Sequence, residues 1–375
     1  MTATHIALDP LDALLDGTAA ELDLPRTLHE TAVHRYQDIG GWLAADPVAP
    51  PSRLLYPQGS FLLGTVVAPI GGSDFDLDFV MQEPVMKESI TQAELKARVG
   101  DTLHRQLRNH LEEPSAQADC HEGRRCWTLT YPRLHLDVLP AIPDTDAPPT
   151  GILLTDRDLR LWQHSDPRAY ATWFEQRSQP SLLFKEARGR VEAVPVWSEY
   201  KSPLKRAVQV IKRHRDQFFA EDTDDRTPSI LITTLVARSY SGTGSVLETV
   251  TAATRQMAGL IESRDGLWWV ANPVQPLENF ADKWATHPQR AAKFFRWVEA
   301  LRGELASITS EVGLPTIVTR LAAYLGEEPV QKAAEAYGRR TYDQRKAGLL
   351  RVASGTAALG AGAGIKVRDH GFYGA

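Results

Sequence analysis

The spacing of apolar and polar positions changes period along the chain, and that change predicts where helices give way to strands. Between Pro25 and Leu43, the residues Leu28, Ala32, Tyr36, Ile39 and Leu43 recur at three-to-four spacing behind a proline suited to a first helical turn. An amphipathic helix is expected there, weakened at its end by Gly40-Gly41. The proline-rich stretch Asp46 to Pro51 then requires an extended connection into Arg53-Leu54-Leu55-Tyr56 and a turn at Gly59-Ser60. From Phe75 to Met81 the period becomes two. Phe75, Leu77 and Phe79 alternate with Asp76, Asp78 and Val80, which predicts a strand with both aspartates on one face. Thr91 and Glu94 have the spacing of a capping box, and Leu95, Val99, Leu103, Leu107 and Leu111 follow as one helical stripe. Cys126 to Tyr131 and Leu134 to Leu139 read as strands joined too tightly for a crossover helix, hence as an antiparallel pair.

Beyond Tyr200 the strand signal fades. Leu204, Ala207, Ile211 and Phe218 mark one helix, Ile230 to Tyr240 a second and Ala291 to Ile308 a third. Val352 to Gly364 is rich in small residues without periodicity and reads as a flexible linker. The expected organisation is a mixed α/β region at 1–195, a helical region at 196–352 and a tail at 353–375, with no internal repeat. Composition agrees with this division: 375 residues, 43% hydrophobic and 24% charged, exceed what one ordinary core holds.

The formal net charge of −5 argues against broad binding to nucleic-acid backbones and against a long nucleic acid as activator. Two cysteines cannot make a disulfide framework, the first fifteen residues carry aspartates and no basic apolar leader, and no apolar run approaches the ~20 residues of a bilayer span. No membrane association and a cytoplasmic location are expected.

Three aspartates carry the chemistry: Asp76 and Asp78, two apart on one strand face, and Asp137 on the polar face of a later strand that also shows His135. Carboxylates gathered in one cleft repel, each pair at about 4 Å costing on the order of 4 kcal/mol at an effective dielectric of 20. Something cationic must compensate. Two Mg²⁺ ions roughly 3.5–4 Å apart would do so, with Mn²⁺ as a substitute, and would suit phosphoryl transfer. Hard oxygen ligands favour magnesium over zinc; Cys120, His121 and Cys126 have no second Cys/His pair at finger spacing and read as a loop before a strand. Upstream, Gly59 lets the backbone approach a ligand, and Ser60 with neighbouring N–H groups can hold phosphate oxygens. A lone Asp-x-Asp is most often a solvated sheet face. The ordered succession of Gly59-Ser60, Asp76-Leu77-Asp78 before the apolar Phe79-Val80-Met81, and Leu136-Asp137-Val138-Leu139 is what gives the pattern weight. Trp268 and Trp269 read as core.

In wording, Gln58-Gly59-Ser60-Phe61-Leu62-Leu63-Gly64-Thr65, Phe75-Asp76-Leu77-Asp78 and His135-Leu136-Asp137-Val138-Leu139-Pro140-Ala141-Ile142-Pro143-Asp144 resemble the DNA polymerase beta-like nucleotidyltransferases. The closer resemblance is to the cGAS/DncV-like nucleotidyltransferases (CD-NTases), signal synthases of bacterial anti-phage CBASS operons. It continues in Lys212, Ser229, Asn272-Pro273, Pro276 and Glu278-Asn279-Phe280. The resemblance implies a polymerase beta-like α/β (α+β) core with a mixed sheet, packed on an all-helical, oligoadenylate-synthetase-like lobe. It implies that Asp76, Asp78 and Asp137 bind the metals and that Asp137 helps deprotonate the incoming 3′-hydroxyl. Gln58, Gly59 and Ser60 would hold the donor triphosphate, and Lys212 and Ser229 its terminal phosphate. Lys201, Lys205 and Arg215 share a helical stripe with Lys212; such a stripe is usually solvated, and Lys205 and Arg215 are read that way, with an electrostatic funnel toward anionic substrates as the alternative. Asp74 is ambiguous, because Asp74-Phe75-Asp76 is also an Asp-x-Asp; the family pair precedes apolar strand residues, which favours Asp76 and Asp78.

The implied activity is synthesis of a cyclic di- or trinucleotide from NTPs, ATP among them, with release of pyrophosphate, the product being sensed by a downstream effector. The alternative is a single nucleotidyl transfer to an RNA end, small molecule or protein. An inactive scaffold would tolerate loss of the carboxylates, and all three are present. The end Phe372-Tyr373-Gly374-Ala375 resembles termini joined covalently to a partner by a ubiquitin-like ligation protein.

Overall fold

A computed structural model of the chain describes residues 10–157, 161–178, 191–311, 313–349, 351–352, 359–360 and 365–366. Helices α1 (Pro10–Glu21) and α2 (Arg26–Ala45) precede β1 (Leu54–Gln58), the short α3 (Gly59–Leu63) and β2 (Phe75–Gln82). Then come α4 (Gln92–Asn109), β3 (Asp119–Glu122), β4 (Trp127–Tyr131), β5 (Leu134–Pro143), β6 (Ile152–Leu154) and β7 (Gln163–Ser165). Helices α5 (Pro167–Ser178), α6 (Pro203–Phe218), α7 (Ser229–Ser239) and α8 (Val246–Gln256) are followed by the hairpin β8 (Glu262–Arg264) and β9 (Leu267–Trp269), then by α9 (Pro288–Thr309), α10 (Leu314–Leu325) and α11 (Glu327–Lys346).

The strands β1 to β7 form one mixed sheet with the path β1-β2-β5-β4-β3, β6 adding to β5 and β7 to β6. Only β2 and β5 run parallel; the tight β4–β5 pair is antiparallel, as its short connection requires. Alternation along β2 sends Phe75, Leu77, Phe79 and Met81 to the face covered by α2 and α4, where Tyr36 meets Phe79 edge-on at 5.4 Å between ring centroids. The expected α2 stripe is buried at Ala32, Tyr36, Ile39 and Leu43, and Gly40-Gly41 does not stop the helix before Ala45. The capping box of α4 forms: Glu94 N donates to Thr91 Oγ1 at 3.2 Å and Thr91 N to Glu94 Oε2 at 2.8 Å. Leu111 departs from its expected place, lying beyond the end of α4 and exposed, because the helix ends at Asn109.

The second core is helical and draws on both ends of the chain: Leu14 of α1, Phe174 of α5, Ile211 of α6, Leu235 of α7 and Phe294 and Trp297 of α9 pack together. Two lobes thus share one chain without a single crossing point. At the centre of the helical lobe α6 is buried nearly all round, its polar residues included. This corrects the expectation of a solvated stripe. Lys205 pairs with Glu175 of α5 at 2.6 Å, Lys201 pairs with Asp23, and Arg215 donates to Thr227 O at 2.8 Å. Long cationic side chains fit inside when each head meets a carboxylate or carbonyl there.

The same helix holds the backbone after α3. Gln209 donates to Val66 O at 2.7 Å, Lys212 to Thr65 O at 3.1 Å and Arg213 to Ala68 O. Of the expected tail, Leu359–Gly360 (β11) and Ile365–Lys366 (β12) pair with Arg351–Val352 (β10), while Phe372–Ala375 lies outside the described residues. Among the described residues no helix is long and apolar enough to cross a membrane.

Gly100 shows packing overriding propensity. Replacing a mid-helix glycine by alanine ordinarily gains about 1 kcal/mol. A Cβ on Gly100 of α4 would stand 2.1 Å from the Trp127 ring, and such overpacking costs typically about 1–3 kcal/mol. Gly100→Ala is therefore expected to lower the thermal midpoint by several degrees, whereas the same change at Gly303, with nothing within 4 Å of its Cβ, is expected to raise it.

Candidate active site

The register of the sheet assembles the site. Gln58 of β1 lies opposite Asp78 of β2, Asp78 opposite Asp137 of β5, and Asp137 opposite Thr128 of β4, a single row across four strands. Thr128 Oγ1 donates to Asp137 Oδ1 at 2.6 Å, which fixes that carboxylate. Two residues along, Asp76 lies opposite His135, whose Nδ1 is 3.4 Å from Asp76 Oδ1 and whose Nε2 is 3.2 Å from Asp74 Oδ2. Asp74 is thus tied to His135, beside the Asp78–Asp137 row. Asp76 is exposed, and Asp78 and Asp137 are half-buried.

The electrostatics follow from this crowding. Removal from water, then the charges of Asp137 and Asp76, push the Asp78 carboxyl up to about 8. Asp76 is raised as well: its side chain reaches the surface, but the protein packed around its carboxyl removes part of its water first and the Asp137 charge adds to this, with relief from His135 and Arg226. Gly59 stands against this cluster. Its φ is +67°, a conformation that favours glycine, and a Cβ there would lie 2.6 Å from Asp78 Oδ2. Thr65 N returns to Ser60 O at 2.9 Å and closes the turn behind α3.

Hard oxygen donors carrying more negative charge than their surroundings neutralise are the donor set a divalent cation requires. Asp76, Asp78 and Asp137 fit that requirement chemically. Among the described residues no group of three or more His, Cys, Asp or Glu side chains is placed so that it could hold a metal ion as it stands. Cys126 Sγ is 3.7 Å from Thr128 Oγ1, on the same sheet face as the carboxylates.

A cleft of about 570 Å³ opens beside the row, between the sheet and the helical lobe; Gln58, Gly59, Arg125, His164, Trp268 and Glu278 are among its walls. Arg125 spans the lobes, donating to Asp156 at 2.7 Å and to Asp282 at 3.1 Å. His164 Nδ1 lies 2.6 Å from the buried Asp144 Oδ2. The reading of Trp268 and Trp269 as core is corrected: Trp268 is 41% exposed and both rings line the cleft, because the hairpin projects from the lobe. Arg125, His164 and Asp282 carried no local signal, since each gains its place from partners 20 or more residues away.

Lys212 and Ser229 have different partners. Lys212 is buried, bonds Thr65 O at 3.1 Å and Thr65 Oγ1 at 3.2 Å, and is pushed down to about 7 by burial and by Arg215. Ser229 Oγ instead accepts from Arg215 Nη1 at 2.9 Å.

No family model matches the chain. Among curated proteins it is 29% identical over 363 residues to a c-di-GMP synthase of Roseivirga ehrenbergii, covering 95% of this chain and 94% of that one. It is 25% identical to the cyclic dinucleotide synthase CdnG of Bradyrhizobium diazoefficiens, covering 88% and 84%. The solved structure of that CD-NTase in complex with GTP superposes with a TM-score of 0.68 at 24% identity, over 88% of this chain and 100% of the other. The fold is shared.

The raised Asp78 carboxyl has a stability consequence. Between the ordinary value of 3.8 and about 8 the folded protein holds a proton that the unfolded chain releases, so this group makes stability fall as pH rises through that window. In divalent-free buffer, the thermal midpoint of Asp78→Asn is expected to gain steadily on the parent from pH 5 to pH 8. A pH-independent difference would contradict this account of the cluster.

Proposed function

We propose that the chain, similar over most of its length to cyclic dinucleotide synthases and sharing the fold of a solved CD-NTase, is a CD-NTase that uses divalent metal ions and condenses NTPs into a cyclic dinucleotide messenger of anti-phage defence, releasing pyrophosphate. The observation that carries the reading is the row Gln58-Asp78-Asp137-Thr128, with Asp76 beside it and Gly59 pressed onto Asp78 at the edge of the cleft. GTP is the proposed substrate, on the strength of the relative whose name is c-di-GMP synthase and of the neighbour solved with GTP.

Asp76, Asp78 and Asp137 would hold the divalent ions, proposed to be two Mg²⁺ with Mn²⁺ as a substitute, which when bound neutralise the carboxylates and the charge developing on the phosphates. Gly59 brings its backbone close to the donor triphosphate, and Ser60 offers a hydroxyl to its oxygens. Gln58 ends the same row on the cleft side. The 3′-oxygen of one nucleotide forms a bond to the α-phosphorus of the other as the bond to pyrophosphate breaks. Asp137, oriented by Thr128, takes the hydroxyl proton. A second transfer of the same kind closes the ring. Lys212 acts beneath the site: through Thr65 it fixes the turn whose other end is Ser60. Positioning and charge account for the catalysis, with no covalent protein nucleophile.

The full chain incubated with labelled NTPs and Mg²⁺ is expected to yield a phosphatase-resistant product. Asp76→Ala/Asp78→Ala and omission of the divalent ion are each expected to abolish it. A labelled product that required an added RNA, small-molecule or protein acceptor would replace ring closure with single transfer.

Gly59→Ala is expected to lower the rate about 100-fold with the fold intact by circular dichroism, since displacement of a reacting group by 1 Å costs about that much. Near-parental synthesis by Gly59→Ala would show that the close approach to Asp78 is not used.

A further inference from the structure

The segment that joins α6 to α7 leads into the cleft, where Pro228 and Ile230 form part of the wall. Helix α9 sets its shape. Lys293 pairs with Asp222 and, at 2.7 Å, with Asp225, while Arg290 donates to Asp225 Oδ1 at 3.1 Å and to Asp224 O at 2.7 Å. Arg226 N returns to Thr223 O at 3.3 Å and closes the turn. Two carboxylates of the segment are thus neutralised by α9, and the Arg226 side chain has no part in those pairs.

Cations are plentiful on α6, but those beside the Gly59-Ser60 turn are committed. Lys212 bonds Thr65, Lys205 pairs with Glu175, Arg213 donates to Ala68 O, and Arg215 is divided among Thr227 O, Ser229 Oγ and Asp216. Arg226 is held far more loosely. Its side chain is 45% exposed, and its ion pair to Asp216 Oδ1 is 3.4 Å long, at an oxygen that Arg215 Nη2 already reaches at 2.6 Å. A partly exposed pair of that length restrains a guanidinium weakly. The charge nevertheless extends to the catalytic face: the Asp76 carboxyl, raised by burial and then by Asp137, is drawn back down by His135 and by Arg226.

We infer that Arg226 is a substrate-contacting residue of the transfer: it turns from Asp216 to the β- and γ-phosphates of the donor nucleotide, the pair that departs as pyrophosphate. The inference rests on the nucleotidyltransferase reading above and names the protein cation on its leaving group. A triphosphate adds negative charge to a site already crowded with carboxylates. Divalent ions on Asp76, Asp78 and Asp137 would meet it from the sheet, and Arg226 meets it from the helical lobe. As the bond between the α-phosphorus and the bridging oxygen breaks, its electron pair stays on the pyrophosphate, so a guanidinium placed there binds the transition state more strongly than the ground state. Arginine suits the task because its planar fork presents two parallel N–H donors to phosphate oxygens. Asp216 keeps Arg215 when Arg226 turns away.

The test is calorimetric binding of α,β-methylene triphosphate analogues, which cannot release pyrophosphate, to the full chain in Mg²⁺. Of the guanosine and adenosine analogues, the one the parent binds more tightly is measured against Arg226→Lys, Arg226→Gln and Arg226→Glu. The thermal midpoints of all three variants are expected to match the parent's, because the head is exposed and weakly paired. Affinity is expected to follow charge: Arg226→Gln weaker than the parent by on the order of tenfold, Arg226→Lys between the two, and Arg226→Glu weakest. Synthesis by Arg226→Gln is expected to fall on the order of 100-fold. Affinities equal to the parent's in all three variants, or the same loss in all three, would overturn the inference while nucleotide binding itself stands. A parent that binds neither analogue would overturn the proposed function with it.

Discussion

The parallel pairing of β2 with β5 is the constraint on which the site depends. Its register sets Asp78 directly beside Asp137 and Asp76 beside His135, and a shift of one residue would turn every one of these side chains to the apolar face. The opposite face secures that register, because Leu77, Phe79, Leu136 and Val138 are all buried against α2 and α4. Hydrophobic burial on one side of the sheet thus holds repelling carboxylates together on the other. The cost appears in the raised Asp76 and Asp78 carboxyls, and a cation bound there would relieve it.

The helical lobe contributes through α6. Its polar side chains reach into the backbone at Thr65, Val66 and Ala68, the stretch that leaves α3. The Gly59-Ser60 turn is therefore supported from behind by donors of the other lobe. Breaking such a contact leaves a buried polar group without a partner, which costs its full desolvation. Arg125 and Ser165 make further ties across the cleft, to Asp282 and Glu278. The two lobes present one site because their contacts converge on the segments that border it.

A solved structure that shares about a quarter of its residues with this chain has the same fold over most of its length. What they have in common is the nucleotidyltransferase fold. Trp268, Trp269 and Glu278 belong to a hairpin and a ladder that Asn279 ties together through three hydrogen bonds.

The sequence by itself determined the elements that rest on strong local periodicity. The α2 stripe, the capping box of α4, the alternating β2, the β4–β5 hairpin and the three central helices all follow from spacing, since a residue's face in a helix or strand depends only on its position in the repeat. The aspartates and the Gly-Ser turn were legible for the same reason, being short motifs next to clear apolar runs. Tertiary structure decided what depends on distant partners. It buried Arg215 and half-buried Lys201 and Lys205, which a sequence stripe alone makes solvated, by bringing Thr227, Asp23 and Glu175 to them. It joined α1 to the helical core, set Lys212 under Thr65 and Arg215 on Ser229, and carried Trp268 out to the cleft. The burial and pairing of a polar side chain are set by neighbours far along the chain, and local periodicity holds no record of them.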